Sequence, residues 1–83
     1  MTIAEAIGKL EKRLYNMSFR EFLRIDVKFL GEPVTIKGSH HKFETSGYGR
    51  GYLTIQPDKG KAKPEQVKEV CNALKQRIKC VNK

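Results

Sequence analysis

Long apolar runs are absent from this chain of 83 residues. No stretch approaches the roughly 20 apolar residues that a membrane-spanning helix needs. The first residues also lack the basic segment and apolar core that mark a secretory signal. We therefore expect a cytoplasmic protein that has no membrane partner.

Cysteine is scarce, and its two residues, Cys71 and Cys80, stand nine positions apart. Apolar spacing places both on one helix, where about 100° per residue puts them on opposite faces, roughly 13 Å apart. A disulfide needs Cα atoms within about 7 Å, so we expect reduced thiols. The sequence also lacks a second ligand pair at zinc spacing, and it predicts neither a metal nor a cofactor.

Acidic residues are few, with nine against 17 cations and a net charge of +8. Up to Ile36 there are six cations and five acids, whereas residues 37–83 carry eleven cations and four acids. Such a surface either keeps a protein soluble or attracts an anionic partner. The excess lies in the half that holds both histidines, which favours nucleic acid over an acidic protein surface.

Three helices are predicted from apolar residues at helical spacing. The first spans about residues 3–15 behind a capping box that starts at Thr2. The second spans about 19–29 behind Ser18, and the third spans about 64–80. The segments before and after the predicted strands are thus both predicted to be helical.

Three strands are predicted between the second and third helices, at 34–37, 40–45 and 52–56. A Gly38-Ser39 turn and a glycine-rich segment at 46–51 join them into an antiparallel sheet. Residues 57–63 are predicted to form a basic loop. The order α-α-β-β-β-α indicates an α+β fold, a single domain of residues 1–83 whose sheet has one face covered by helices.

Gly38-Ser39-His40-His41-Lys42-Phe43 places two imidazoles beside a turn. An unperturbed histidine has a pKa of about 6.5, so it exchanges protons near neutrality. Strand alternation puts His41 with Phe43 toward the helices, and His40 with Lys42 on the open face. A bulge at the turn would reverse this assignment, so His41 stays an alternative to His40 as the reactive base.

This stretch matches the Gly-Ser-His-x-x-aromatic signature of the HicA family of toxin ribonucleases, and residues 53–67 resemble one branch of that family. The resemblance covers about residues 18–79, so the helix within residues 1–16 is an addition to the family core. It implies a fold similar to a double-stranded-RNA-binding domain and metal-independent cleavage of mRNA, with His40 as the catalytic residue. It also implies a HicB-type antitoxin that holds the toxin inactive.

RNA carries its own nucleophile, the 2′-hydroxyl, so an enzyme needs a base, donors for the phosphate and an acid for the leaving oxygen. We expect His40 to be the base, supported by Gly38, Ser39 and His41. Tyr48 either stacks on a base or anchors its loop. The cations expected to bind RNA phosphates are Lys37, Lys42, Arg50, Lys59, Lys61 and Lys63.

Two other functions stay open at this point. The same fold can serve as an RNA-binding module without catalysis, because a fold does not fix a function. The basic half can also bind an acidic protein. Since the sequence shows no carboxylate partner for His40 and no second catalytic group, a slow nuclease with one histidine is the strongest activity it supports.

Overall fold

The computed structural model describes residues 1–45 and 51–81, with side chains up to residue 78. Its three helices and its three-stranded antiparallel sheet follow the predicted order. The elements are α1 (Ile3–Lys12), α2 (Phe19–Leu30), β1 (Thr35–Lys37), β2 (His40–Thr45), β3 (Gly51–Ile55), β4 (Pro57–Asp58), β5 (Lys61–Ala62) and α3 (Pro64–Val81).

The turn between α1 and α2 corrects the predicted end of the first helix. α1 begins at its capping box but ends at Lys12 rather than at residue 15. The guanidinium of Arg13 donates to the Asn16 carbonyl and to the Glu21 carboxylate of α2. These bonds favour a turn over another helical turn, and the turn lets Met17 enter the core, where it is 1% exposed.

The segment predicted as a basic loop contains a small hairpin. β4 and β5 pair antiparallel through Pro57 with Ala62 and through Asp58 with Lys61. A two-residue turn joins them, and both of its residues have positive φ, 54° at Lys59 and 82° at Gly60. This conformation matches the right-handed twist of paired strands, which explains why so short a hairpin closes. We call β4, the turn and β5 the basic hairpin.

α2 and α3 lie over one face of the sheet and begin at the same end of it. The amide of Phe19, the first residue of α2, donates to the Gly60 carbonyl at 3.0 Å. The side chain of Gln66 in the first turn of α3 accepts from the Gln56 amide at 3.0 Å, just after β3. At the far end, Arg77 of α3 donates to the Phe29 carbonyl, where its charge complements the negative end of α2.

The sheet has the strand order β1-β2-β3 and the alternation that the sequence predicts. Phe43 pairs with Leu53, and both side chains are buried beneath the helices, as is Ile55. Tyr52 and Thr54 are exposed on the opposite face. Hence one face of the sheet belongs to the core and the other is open, and we call the latter the open face.

The first helix contributes buried side chains to the core. Ala6 and Leu10 of α1 are fully buried, and α1 packs mainly against α3. The largest fully buried side chains come from every layer and include Leu10, Met17, Phe22, Phe43, Ile55, Val67, Val70 and Leu74. α1 is therefore an integral part of this core.

α3 spans both cysteine positions, which is the condition under which the sequence excludes a disulfide. Cys71 is a buried free thiol, and burial raises its pKa. The side chain of Cys80 falls outside the described residues. None of the helices in the described part of the chain is both long and apolar enough to cross a membrane.

Candidate functional site

The Gly-Ser part of the motif forms the turn between β1 and β2. Lys37 pairs with His40, so Gly38 and Ser39 are the two central residues of the connection. Gly38 has a φ of 58°, which a side chain at this position would strain, whereas Ser39 is not in that region. Positive φ at the first central residue alone is the pattern of a type II′ hairpin turn. This turn fixes the position of His40 as the first residue of β2.

His40 is exposed on the open face, as the alternation predicts. Lys37 lies directly opposite it in the β1–β2 pair and is also exposed. Side chains of such a pair share one face of the sheet, with Cβ atoms about 5 Å apart. An imidazole and an ammonium group therefore stand side by side at the turn, a combination suited to a phosphate and a nearby hydroxyl.

His41 lies on the other face of the sheet, toward α2. Its ring packs against the ring of Phe19 with centroids 5.7 Å apart. Its Nδ1 lies 3.1 Å from the Ser39 carbonyl oxygen. Because that oxygen is only an acceptor, Nδ1 carries the proton and donates to it. The predicted parity is thus confirmed, and the hydrogen bond braces the turn that presents His40.

The two histidines cannot act on one phosphate from these positions. Consecutive side chains of a strand point to opposite faces, and here one faces solvent while the other faces α2. A mechanism that uses His40 and His41 as a base and acid pair is therefore incompatible with the sheet. A proton-transfer role expected for this site would therefore fall to one histidine.

The basic hairpin lies at the same end of the sheet as the histidines. The amide of Ala62 donates to the Met17 carbonyl at 3.0 Å, and the amide of Phe19 donates to the hairpin turn. Phe19 thus contacts the hairpin through its backbone and His41 through its ring. Of the predicted cations here, Lys59 and Lys61 are exposed and Lys63 is half-buried where α3 begins.

Lys42 lies on the open face, two residues beyond His40, and contacts an aromatic ring that the sequence did not single out. Its Nζ is 4.5 Å from the ring centroid of Tyr52 on β3. This distance is that of a cation–π contact. Tyr52 is 54% exposed. Strand alternation puts Tyr52 on the open face, and the register between β2 and β3 brings it beside Lys42.

A row of cations on α2 was also missed. Arg20, Arg24 and Lys28 are exposed, and with the half-buried Leu23 and Val27 they line a shallow groove along the helix. Their spacing of four residues is the signal that could have identified them, because it places side chains on one helical face. They lie in the helical layer, on the opposite side of the sheet from His40.

Asp26 is a second feature that sequence patterns did not identify. It is 0% exposed, and neither carboxylate oxygen has a hydrogen-bond partner within the described ranges. Burial raises the pKa of Asp26 well above its ordinary value, because removal from water disfavours the ionised form. The protonated acid is thus the form favoured inside α2.

Two of the predicted site residues, Tyr48 and Arg50, lie outside the described residues. Within residues 1–45 and 51–81, no group of three His, Cys, Asp or Glu side chains is arranged to hold a metal ion. The described site therefore consists of His40, Lys37 and Lys42 on the open face, with the basic hairpin beside them.

Comparisons with protein-family models, with curated proteins and with solved structures find no match to this chain. What can be said of its class comes from the architecture and the site. Over residues 1–45 and 51–81 the chain has an α+β architecture with a three-stranded antiparallel sheet and three helices. At one end of that sheet the open face presents His40 beside Lys37.

Proposed function

We propose that this chain is a HicA-like toxin that cleaves messenger RNA in the cytoplasm and is held inactive by a HicB-type antitoxin. The observation that carries the proposal is the pairing of His40 with Lys37 on the open face, at a turn made by the Gly-Ser of the motif. Apart from the basic hairpin between β3 and α3, the order α2-β1-β2-β3-α3 is also that of a double-stranded-RNA-binding domain, and we include that fold in the proposal.

In the proposed reaction, His40 takes the proton of a ribose 2′-hydroxyl. The 2′-oxygen bonds to phosphorus, the bond from phosphorus to the 5′-oxygen breaks, and the 5′-oxygen leaves with a proton from water. The ammonium group of Lys37 offsets the charge that develops on the phosphate. A positioned base supplies typically about 10²–10⁴-fold in rate. Because only one histidine occupies the open face, we propose a slow nuclease.

Comparing His40→Ala with His41→Ala tests whether His40, rather than His41, is the base. We expect His40→Ala to lose at least about 100-fold in RNA cleavage and to abolish growth arrest, with an unchanged circular dichroism spectrum. His41→Ala should retain cleavage, because its ring braces the turn from the other face. If His40→Ala cleaves RNA normally, the assignment is wrong, and if neither substitution matters, the histidine mechanism is wrong.

RNA binding without cleavage is the second candidate function. It is favoured by the isolation of the His40 ring, to which no residue in the described part of the chain hydrogen-bonds. Catalytic bases are commonly oriented by such a bond. The same purified protein separates the two functions, because a binding module shifts labelled RNA in a gel without producing shorter products over long incubation.

The antitoxin is proposed to cover the open face together with the basic hairpin. The His40 end of the open face and the basic hairpin lie at the same end of the sheet, and their charge suits an acidic protein as well as RNA. Charge reversal at Lys59 and Lys61 should weaken antitoxin binding and RNA binding together. Reversal of the exposed Lys12 on α1 is the matched control and should change neither. If RNA still binds the toxin–antitoxin complex, direct occlusion is wrong.

A further inference from the structure

Tyr52 and Lys42 form a contact on the open face that the proposed cleavage step does not use. Tyr52 pairs with Glu44, while Lys42 pairs with Thr54, so tyrosine and lysine stand on adjacent strands one step apart on the same face. The Lys42 ammonium lies over the tyrosine ring at 4.5 Å from its centroid. Both groups therefore share a small area of surface that no described helix covers.

The contact between Lys42 and Tyr52 lies farther along the open face than His40. His40, Lys42 and Glu44 follow one another on the open face of β2, and each step is about 6.8 Å along the strand. Tyr52, across from Glu44, is therefore about 14 Å from His40 in the strand direction, with the charge of Lys42 between them. A polynucleotide whose phosphate sits beside His40 and Lys37 would pass Lys42 before it reaches Tyr52.

We propose that the Tyr52 ring stacks on an unpaired base of the RNA, so that the open face takes single-stranded RNA. This inference rests on the proposed function, since it places the substrate of the His40 site. Bases in a duplex are stacked on one another, whereas bases of a single strand can lie on an aromatic side chain. Lys42 binds the phosphate between the stacked nucleotide and the nucleotide at His40.

The test uses wild-type protein with short single-stranded 2′-O-methyl RNA, which it cannot cleave, and measures binding by fluorescence anisotropy. Tyr52→Ala should weaken binding about tenfold, the usual effect of removing one stacking ring. Tyr52→Phe keeps the ring and should bind normally. Tyr15→Ala is the matched control, because Tyr15 is 75% exposed but lies in the turn after α1.

An abasic scan locates the stacked base. One abasic position, one or two nucleotides from the cleaved bond, should weaken binding of wild-type protein and leave binding of Tyr52→Ala unchanged. A perfect hairpin duplex of the same sequence should bind more weakly and show no dependence on Tyr52. If Tyr52→Ala loses its fold by circular dichroism, Tyr52→Leu replaces it, since it keeps an apolar side chain on the strand.

The outcomes separate this inference from the proposed function. If wild-type protein cleaves RNA but neither Tyr52→Leu nor the abasic scan changes binding, the stacking role is wrong and the nuclease stands. If binding depends on Tyr52 and no cleavage occurs, the nuclease is wrong and the stacking role stands. If Tyr52 affects only the binding of an acidic protein, or if Tyr15→Ala has the same effect, the inference is overturned.

Discussion

Asp26 offers a test of the helical layer that is independent of function. Its carboxyl group is 0% exposed on α2 and unpartnered among the described residues, and burial raises its pKa. In the unfolded chain the same group has a pKa of about 3.9. Between that pH and the higher folded pKa, the unfolded chain has lost the proton while the folded protein still holds it.

The sign of the pH dependence follows from this difference. The stability contributed by protonated Asp26 is fully present below about pH 4 and is lost as pH rises through the folded pKa. Within that window, the free energy of unfolding falls by about 1.4 kcal/mol per pH unit. For a domain of this size, each such step lowers the melting temperature by about 5–10 °C.

Asp26→Asn keeps the shape of the side chain and removes its titration. We expect the variant to gain stability over the wild type as pH rises from 4 to 8, measured by urea unfolding at constant ionic strength. Asp58→Asn, at an exposed carboxyl group on β4, is the control and should show no comparable gain. A difference between Asp26→Asn and wild type that stays constant over this pH range would refute the reasoning.

Three further predictions concern the site and the turn. RNA cleavage should survive EDTA and should fail on a 2′-O-methyl substrate, since the nucleophile belongs to the RNA; loss of activity with EDTA that a divalent ion restores would contradict this. RNA binding should weaken with salt at a log–log slope of about −3 if about four cations contact phosphates, whereas a slope near zero would indicate another kind of partner. Gly38→Ala should cost about 1–2 kcal/mol of stability in a denaturant titration because of its φ of 58°. Gly8→Ala, in the interior of α1 with open space around it, should instead gain about 1 kcal/mol, and equal effects of the two substitutions would refute the turn assignment.

The parts of the fold that were predictable are those fixed by local chemistry. The caps at Thr2 and Ser18 satisfy nearby amides, so they mark helix starts without knowledge of the rest of the chain. The end of α1 was not predictable, because Leu14 continues the apolar spacing and the turn depends on Arg13 reaching Glu21. Strands of two residues, as in the basic hairpin, show no periodicity at all.

The candidate site was also predictable only in part. Alternation alone predicted that His40 and His41 lie on opposite faces, because successive side chains of a strand point to opposite sides of the sheet. The partner of Lys42 depends on the register between β2 and β3, which alternation does not contain. Asp26 was missed for another reason: it occupies an inward position on α2, where a charged residue is not expected.

Because α1 packs on α3, the core can be completed only after α3 has been synthesised. Lys75 and Glu11 form an ion pair across 64 residues of chain, and Val67, Val70 and Leu74 of α3 complete the core. During translation α1, α2 and the sheet leave the ribosome before the helix that covers them. The surface proposed to cut messenger RNA would thus take its final form only after α3 has followed the sheet out of the ribosome.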